Sequence, residues 1–206
     1  MKGSAVSDQY ELDKVREEAL FCQRCTLWQT RTQVVFGAGK AGSKIMFVGE
    51  APGEDEDRTG TPFVGRAGIL LDQLLEEAGI GRESIYITNI IRCRPTAVTQ
   101  GKITNRAPRA GEVSACEPWM WLEIHLVKPS VIVCVGAPAA KTLIDKNFRL
   151  SDQRGDVYEK EDGIRYIATL HPAYLLRLLS TDTEAYQRAE GLVIQDLKKA
   201  KMLASR

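Results

Sequence analysis

The chain has no apolar run approaching the roughly 18 residues that a membrane helix needs, so no membrane-spanning segment is expected. Its first residues, Met1 to Ser7, lack the apolar stretch of a signal peptide. The expectation is a cytoplasmic protein. A dominant charge is lacking too, because the formal net charge is +1. Bulk electrostatics therefore name no partner, although a local basic patch on a neutral protein can still bind nucleic acid. No internal repeat or low-complexity segment stands out. At 206 residues one domain spanning 1–206 is the default.

Cysteine is present, five times. In a reducing compartment disulfides are not expected, which leaves metal binding or catalysis. Cys22 and Cys25 form a C-x-x-C pair that can grip one centre from a tight turn, while Cys93 and Cys116 are dispersed. Four thiolates suit zinc or an iron–sulfur cluster. Zinc sites more often use two close pairs, and here one pair is close. Arg24, Arg92 and Arg94 flank the candidate ligands, and their charge would stabilise an anionic cluster. Cys134 lies inside the apolar run 131–135 and reads as a core residue.

The most informative stretch runs from Gly49 to Arg66. Ile45 to Val48 before it reads as a buried strand. Ala67, Leu70, Leu71, Leu74, Leu75 and Ala78 after it have the spacing of one helix face, closed by Gly79 as a C-cap. Between them lies a long loop rich in glycine, proline and acid. Four acids this close together, Glu54, Asp55, Glu56 and Asp57, usually make a solvated surface, and for Glu54 and Asp57 taken singly that reading stands level with a functional one. Phe63, between Pro62 and Val64 in a glycine-bounded turn, suits a flat ligand with polar edges.

Elsewhere, 8–20 reads as a helix, Val34 to Phe36 as a short edge strand and Ile85 to Thr88 as a strand ending at Asn89. Residues 92–111 are expected to be irregular and basic, either a solvated loop or a phosphate contact. A helix face follows at Val113, Cys116, Met120, Ile124 and Val127, with Pro118 suggesting a kink or a late start. Strands at 130–135 and 166–170 are separated by a short helix and a polar loop or hairpin at 148–164, and a last helix starts near Thr183. This alternation implies an α/β fold, a three-layer α/β/α sandwich around a mostly parallel four-stranded sheet. Glu50, Asn89 and His171 each follow the last apolar residue of a different strand. In a parallel sheet all three reach one edge, where open α/β sheets hold ligands.

Asn89 offers an acceptor and two donors in a plane, which suits the O4 and N3 edge of uracil; a turn asparagine is the plain alternative. His171 can donate to an oxygen on which negative charge develops, or it can be a capping or core histidine. His125 lies in a helix and reads as structural.

These motifs resemble the family 4 uracil-DNA glycosylases, iron–sulfur members of the uracil-DNA glycosylase superfamily. The matching pieces are Gly49 to Asp57, Thr61 to Gly68, Thr88 to Pro95 and His171 to Arg177, with four cysteines. The resemblance implies an enzyme that flips uracil out of single- or double-stranded DNA and hydrolyses its N-glycosidic bond. By position it implies that Gly49, Glu50, Ala51 and Phe63 hold the base, Asn89 reads its edge and His171 stabilises the departing uracil. Leu176 and Arg177 would fill the gap left by the nucleotide, and Arg66 would join them on DNA. Cys22, Cys25, Cys93 and Cys116 would hold a structural [4Fe–4S] cluster, and the enzyme would act as a monomer.

Family 1 places an aspartate where this chain has Ala51 and a tyrosine where it has Gly53. Glu50 is therefore the first candidate for handling water, with Asp55 and Glu56 in reserve. The segment from Thr96 to Ile103 is long for the family, and no histidine lies between Asn89 and Glu123, which argues against covalent capture of the sugar. A binding module that senses uracil without cutting it, and a zinc-held interaction protein, are the other readings.

Overall fold

The computed structural model describes residues 5–205. Helix α1 (Ala5–Leu20) precedes strand β1 (Ile45–Gly49), helices α2 (Glu54–Thr59) and α3 (Arg66–Glu77), and strand β2 (Ile85–Asn89). A hairpin of β3 (Thr96–Thr99) and β4 (Lys102–Asn105) leads to helix α4 (Ala110–Val127). Then come β5 (Val131–Val135), α5 (Ala137–Leu143), α6 (Leu150–Gln153), β6 (Val157–Glu159), β7 (Arg165–Thr169), α7 (Pro172–Leu179) and α8 (Thr183–Ala204).

The main sheet has the order β2-β1-β5-β7-β6. The first four strands are parallel, and β6 adds antiparallel to β7 at the edge. The sheet thus has five strands rather than the expected four. The fifth is three residues long and barely buried, so no apolar alternation marks it.

Alternation along the parallel strands builds two cores. Met46, Val48, Tyr86, Ile132 and Cys134 face one side, with α1 and α4 residues such as Leu12, Met120 and Ile124. Phe47, Ile85, Ile87, Val133 and Ile167 face the other, with Leu71 and Leu74 of α3 and Val193 and Leu197 of α8. A sheet covered by helices on both faces is the expected sandwich. Cys134 is fully buried there. Among the described residues no helix is long and apolar enough to cross a membrane.

Three local expectations change. Val34 to Phe36 is not a strand; that stretch touches the sheet's edge through Val35 N–H to the Arg92 carbonyl and a bridge between Ala38 and Ile87. The region 92–111 is not wholly irregular, because 96–105 forms the hairpin with Thr96 opposite Asn105. Helix α4 starts early, at Ala110, and runs through Pro118.

Candidate active site

The carboxyl ends of β1, β2 and β7 meet at one rim. A cavity of about 280 Å3 there is lined by Glu50, Ala51, Phe63, Asn89 and His171, with Arg106 and other residues from the hairpin side. The residues that the strand-end argument singled out are therefore together. Gly49 pairs in register with Asn89. A Cβ at Gly49 would stand 2.4 Å from Asn89 Oδ1 and 2.6 Å from Phe63 Cζ, so the ring and the amide approach each other only over glycine.

Phe63 sits in the left-handed region at φ 55°, which costs a phenylalanine energy and persists only when neighbours enforce it. They do. Arg82 Nη2 donates to the carbonyls of Pro62 and Phe63 at 3.0 and 3.4 Å. Glu56 Oε1 accepts from the amides of Val64 and Gly65 at 3.0 and 2.8 Å, and its Oε2 accepts from Gly53 N–H at 3.0 Å. Helix α3 closes tightly on the same turn, since a Cβ at Gly68 would lie 1.9 Å from the Phe63 carbonyl oxygen.

The four acids are consequently not one solvated surface. Glu56 and Asp57 are 9% and 3% exposed. Asp57 accepts the Thr32 amide at 3.0 and 3.1 Å. Glu56 is occupied as the brace just described, and Asp55 pairs with Arg58 at 3.0 Å. That leaves Glu50 as the carboxylate free to face the cavity; burial raises its pKa from the ordinary glutamate value.

His171 caps α7. Its Nδ1 accepts from Ala173 N–H at 3.1 Å, which puts the ring proton on Nε2. Burial, then the Arg177 charge, push its pKa down to about 4, against a weaker pull from Glu56. Its ring stacks on Phe63 with centroids 6.0 Å apart and planes 27° apart. A second cavity of about 430 Å3 adjoins the first across His171 and Glu50, with Tyr174 and Arg177 on its wall. Of the three residues expected on DNA, Arg177 borders this space, with its guanidinium 5.7 Å from the Tyr174 ring centre. Arg66 is exposed at the start of α3, and Leu176 packs toward the core; neither lines either of these two cavities.

Reading the sequence missed the hairpin wall. Asn105 and Arg106 line the first cavity, and Arg106 is held by Glu112 at 2.5 and 2.8 Å. The signal was Gln100-Gly101, both with positive φ, as the tight turn of a hairpin requires.

Cys22, Cys25, Cys93 and Cys116 line one small cavity on the other side, with Arg24, Arg31, Arg92 and Trp119. Three N–H groups point at sulfur: Arg31 Nη1 at Cys93, Trp119 Nε1 at Cys22 and the Arg92 amide at Cys116, each at 3.3 Å. Burial raises the Cys93 thiol to about 11 and also raises that of Cys116. Among the described residues no three His, Cys, Asp or Glu side chains are gathered as a site for a single metal ion; four cysteines spread around one cavity, with N–H donors at three of the sulfurs, fit a multinuclear iron–sulfur cluster better. Arg94 does not flank the thiols, since its guanidinium reaches Asn105 at 2.6 Å and Glu54 at 3.2 Å. Arg31, unmarked in the sequence, takes that role.

Known proteins share much of this sequence. The model of the uracil DNA glycosylase superfamily matches residues 36–197. The type-4 uracil-DNA glycosylase of Thermotoga maritima is 41% identical over 191 residues, 92% of this chain and 93% of that protein. That of Sulfurisphaera tokodaii is 42% identical over 173 residues, 80% of this chain and 76% of its own. That of Archaeoglobus fulgidus is 41% identical over 172 residues, 80% and 83% respectively. With a family match over most of its length and relatives of this similarity, the chain belongs to the uracil-DNA glycosylase superfamily and, within it, to the type-4 uracil-DNA glycosylase enzymes.

Proposed function

We propose that this enzyme takes uracil flipped out of single- or double-stranded DNA into the first cavity and hydrolyses its N-glycosidic bond, leaving an abasic site. The observation that carries the reading is the meeting of Phe63, Asn89 and His171, from separate segments, around one cavity. At about 280 Å3 it is near the small end of the roughly 300–1,000 Å3 usual for ligand pockets, as a single pyrimidine requires. Phe63 stacks on the base. The Asn89 amide pairs with O4 and N3, which cytosine does not match. As the C1′–N1 bond breaks, its electron pair moves onto the base, and neutral His171 donates its Nε2–H to the O2 that gains charge. Water forms the new C1′–O bond and gives up a proton, for which the Glu50 carboxylate is the acceptor. Arg177 and the wall of the second cavity follow the DNA strand.

Gel analysis of a uracil-containing oligonucleotide after alkaline cleavage tests this reading, with U:G, U:A, single-stranded U and T:G compared side by side. Free uracil should appear, and Asn89→Ala should lower its rate of release about 100-fold, the usual scale for a lost positioning contact. Binding of uracil-DNA without strand scission would favour the sensor module.

The reading also assigns a [4Fe–4S] cluster to Cys22, Cys25, Cys93 and Cys116. Three N–H donors aimed at sulfur suit thiolates that share negative charge. When bound, such a cluster supplies structural cross-linking and not redox catalysis. The four cysteines tie the end of α1 to the chain after β2 and to α4. Purified protein should be brown, absorbing near ~400 nm through sulfur-to-iron charge transfer; a colourless, zinc-containing protein overturns the assignment. We further propose that the enzyme acts in the cytoplasm, where thiols stay reduced, and as a monomer.

A further inference from the structure

Arg92 is 1% exposed, and Glu123 of α4 is fully buried. Arg92 Nη2 donates to Glu123 Oε2. The same carboxylate accepts from Thr88 Oγ1 at 2.9 Å, Tyr86 Oη at 3.1 Å and Gly37 N–H at 2.9 Å. Glu123 thus binds β2 to the helix layer from beneath. A buried charge pair is expensive unless each partner is further satisfied. The carboxylate is, while Arg92 Nε is a buried side-chain nitrogen with no partner. Packing alone would be served better by apolar residues, so the pair calls for another explanation.

The rest of Arg92 supplies one. Its Nη1 donates to the Asn89 carbonyl, and to that of Ile90 at 3.1 Å. Asn89 is the last residue of β2, and here its carbonyl is held by a guanidinium. Fixing that carbonyl fixes the peptide plane after Asn89 and with it the direction in which the amide leaves the main chain. The main chain of Arg92 faces the cysteines: its amide donates to Cys116 Sγ at 3.3 Å, and the residue lines the cysteine cavity.

We propose that Arg92, braced by Glu123, is a positioning residue for uracil recognition: it locks the Asn89 main chain so that the amide meets the base edge, and it hangs that lock on the cysteine centre. The proposal rests on the reading of Asn89 given above. Base recognition should therefore suffer when Arg92 or Glu123 is altered, while the grip on the DNA backbone does not.

The test uses the cluster-loaded enzyme and three variants, Arg92→Lys, Glu123→Gln and the milder Thr88→Val. Three quantities are read: inhibition by free uracil, affinity for DNA carrying a tetrahydrofuran abasic analogue, and absorbance near ~400 nm per polypeptide. A lysine keeps the charge but cannot reach two carbonyls and a carboxylate as a guanidinium fork does. Arg92→Lys and Glu123→Gln should weaken uracil inhibition about tenfold or more and lower kcat alongside, with Thr88→Val intermediate. Abasic-DNA affinity and absorbance should stay close to those of the parent. Unchanged uracil inhibition in all three overturns the proposal. So does a parallel loss of abasic-DNA binding or of absorbance, which marks general damage; Thr88→Val, nearly isosteric, keeps the test open if the charge variants do not fold. Asn89→Ala serves as the reference. If it too leaves uracil inhibition intact, the role of Asn89 fails; if it alone weakens inhibition, only the role of Arg92 fails.

Discussion

Replacing His171 with alanine is expected to slow uracil release by roughly 10²–10³-fold, the cost of removing one donor from a site of developing negative charge. Affinity for uracil-containing DNA should change little, because the donation strengthens only as the bond breaks. Single-turnover rates set against binding isotherms separate the two. The chemical reason lies in the ring's protonation. Nδ1 is engaged by Ala173 N–H, and the pKa is depressed to about 4, so the group is a neutral Nε2–H donor across the physiological range. The rate should therefore show no inflection near ~6.5, where an ordinary histidine titrates. The acid limb should belong to Glu50, whose pKa burial raises, and should vanish in Glu50→Gln. The sign for stability is the reverse of that for a histidine gaining an acidic partner. Between about 6.5 and 4 the unfolded chain takes up a proton that native His171 refuses. Native stability thus falls as pH drops through that window, and His171→Ala should remove this part of the acid sensitivity. Wild-type rates in H171A would falsify the assignment.

Glu56→Ala should be the most damaging change outside the groups that touch the base. It strands three amides, of Gly53, Val64 and Gly65, and frees the turn that forces Phe63 into its left-handed conformation. Loss of a charged acceptor for several buried donors amounts to about 2–4 kcal/mol, read as a lower Tm. A ring displaced by about an ångström should also cost on the order of 100-fold in kcat/KM. Glu56→Gln, which keeps one oxygen able to accept from Val64 and Gly65, should recover part of both. This pattern distinguishes a brace from a base. Were Glu56 the residue that takes water's proton, the glutamine variant would lose turnover with Tm unchanged.

The contrast between Glu50 and Glu56 shows what the sequence makes legible. Glu50, Asn89 and His171 could be placed because each follows a short apolar strand, and parallel strands deliver their ends to one rim. Local pattern sufficed. Glu56 could not be placed, because four consecutive acids look solvated, and its partners are backbone amides brought near by the fold. Arg31 and Arg94 illustrate the same limit. Proximity in sequence suggested Arg94 for the thiols, yet its guanidinium turns to Asn105 and Glu54, while Arg31, 62 residues from Cys93, reaches the sulfur. The hairpin at 96–105 escaped notice, and 148–164 reads in the sequence equally as loop or hairpin, because these strands are short and mostly exposed, with little apolar content to set a period.

Gly49 has a last consequence. The ring and the carboxamide that wall the slot both stand close to a position that has no side chain, so its width is set by an omission. A single methyl group there would occupy space that the aromatic ring and the carboxamide already share, and one of them would have to leave. On the proposed reading of Phe63 and Asn89, the choice of base is thus guarded at a residue that itself carries no functional group.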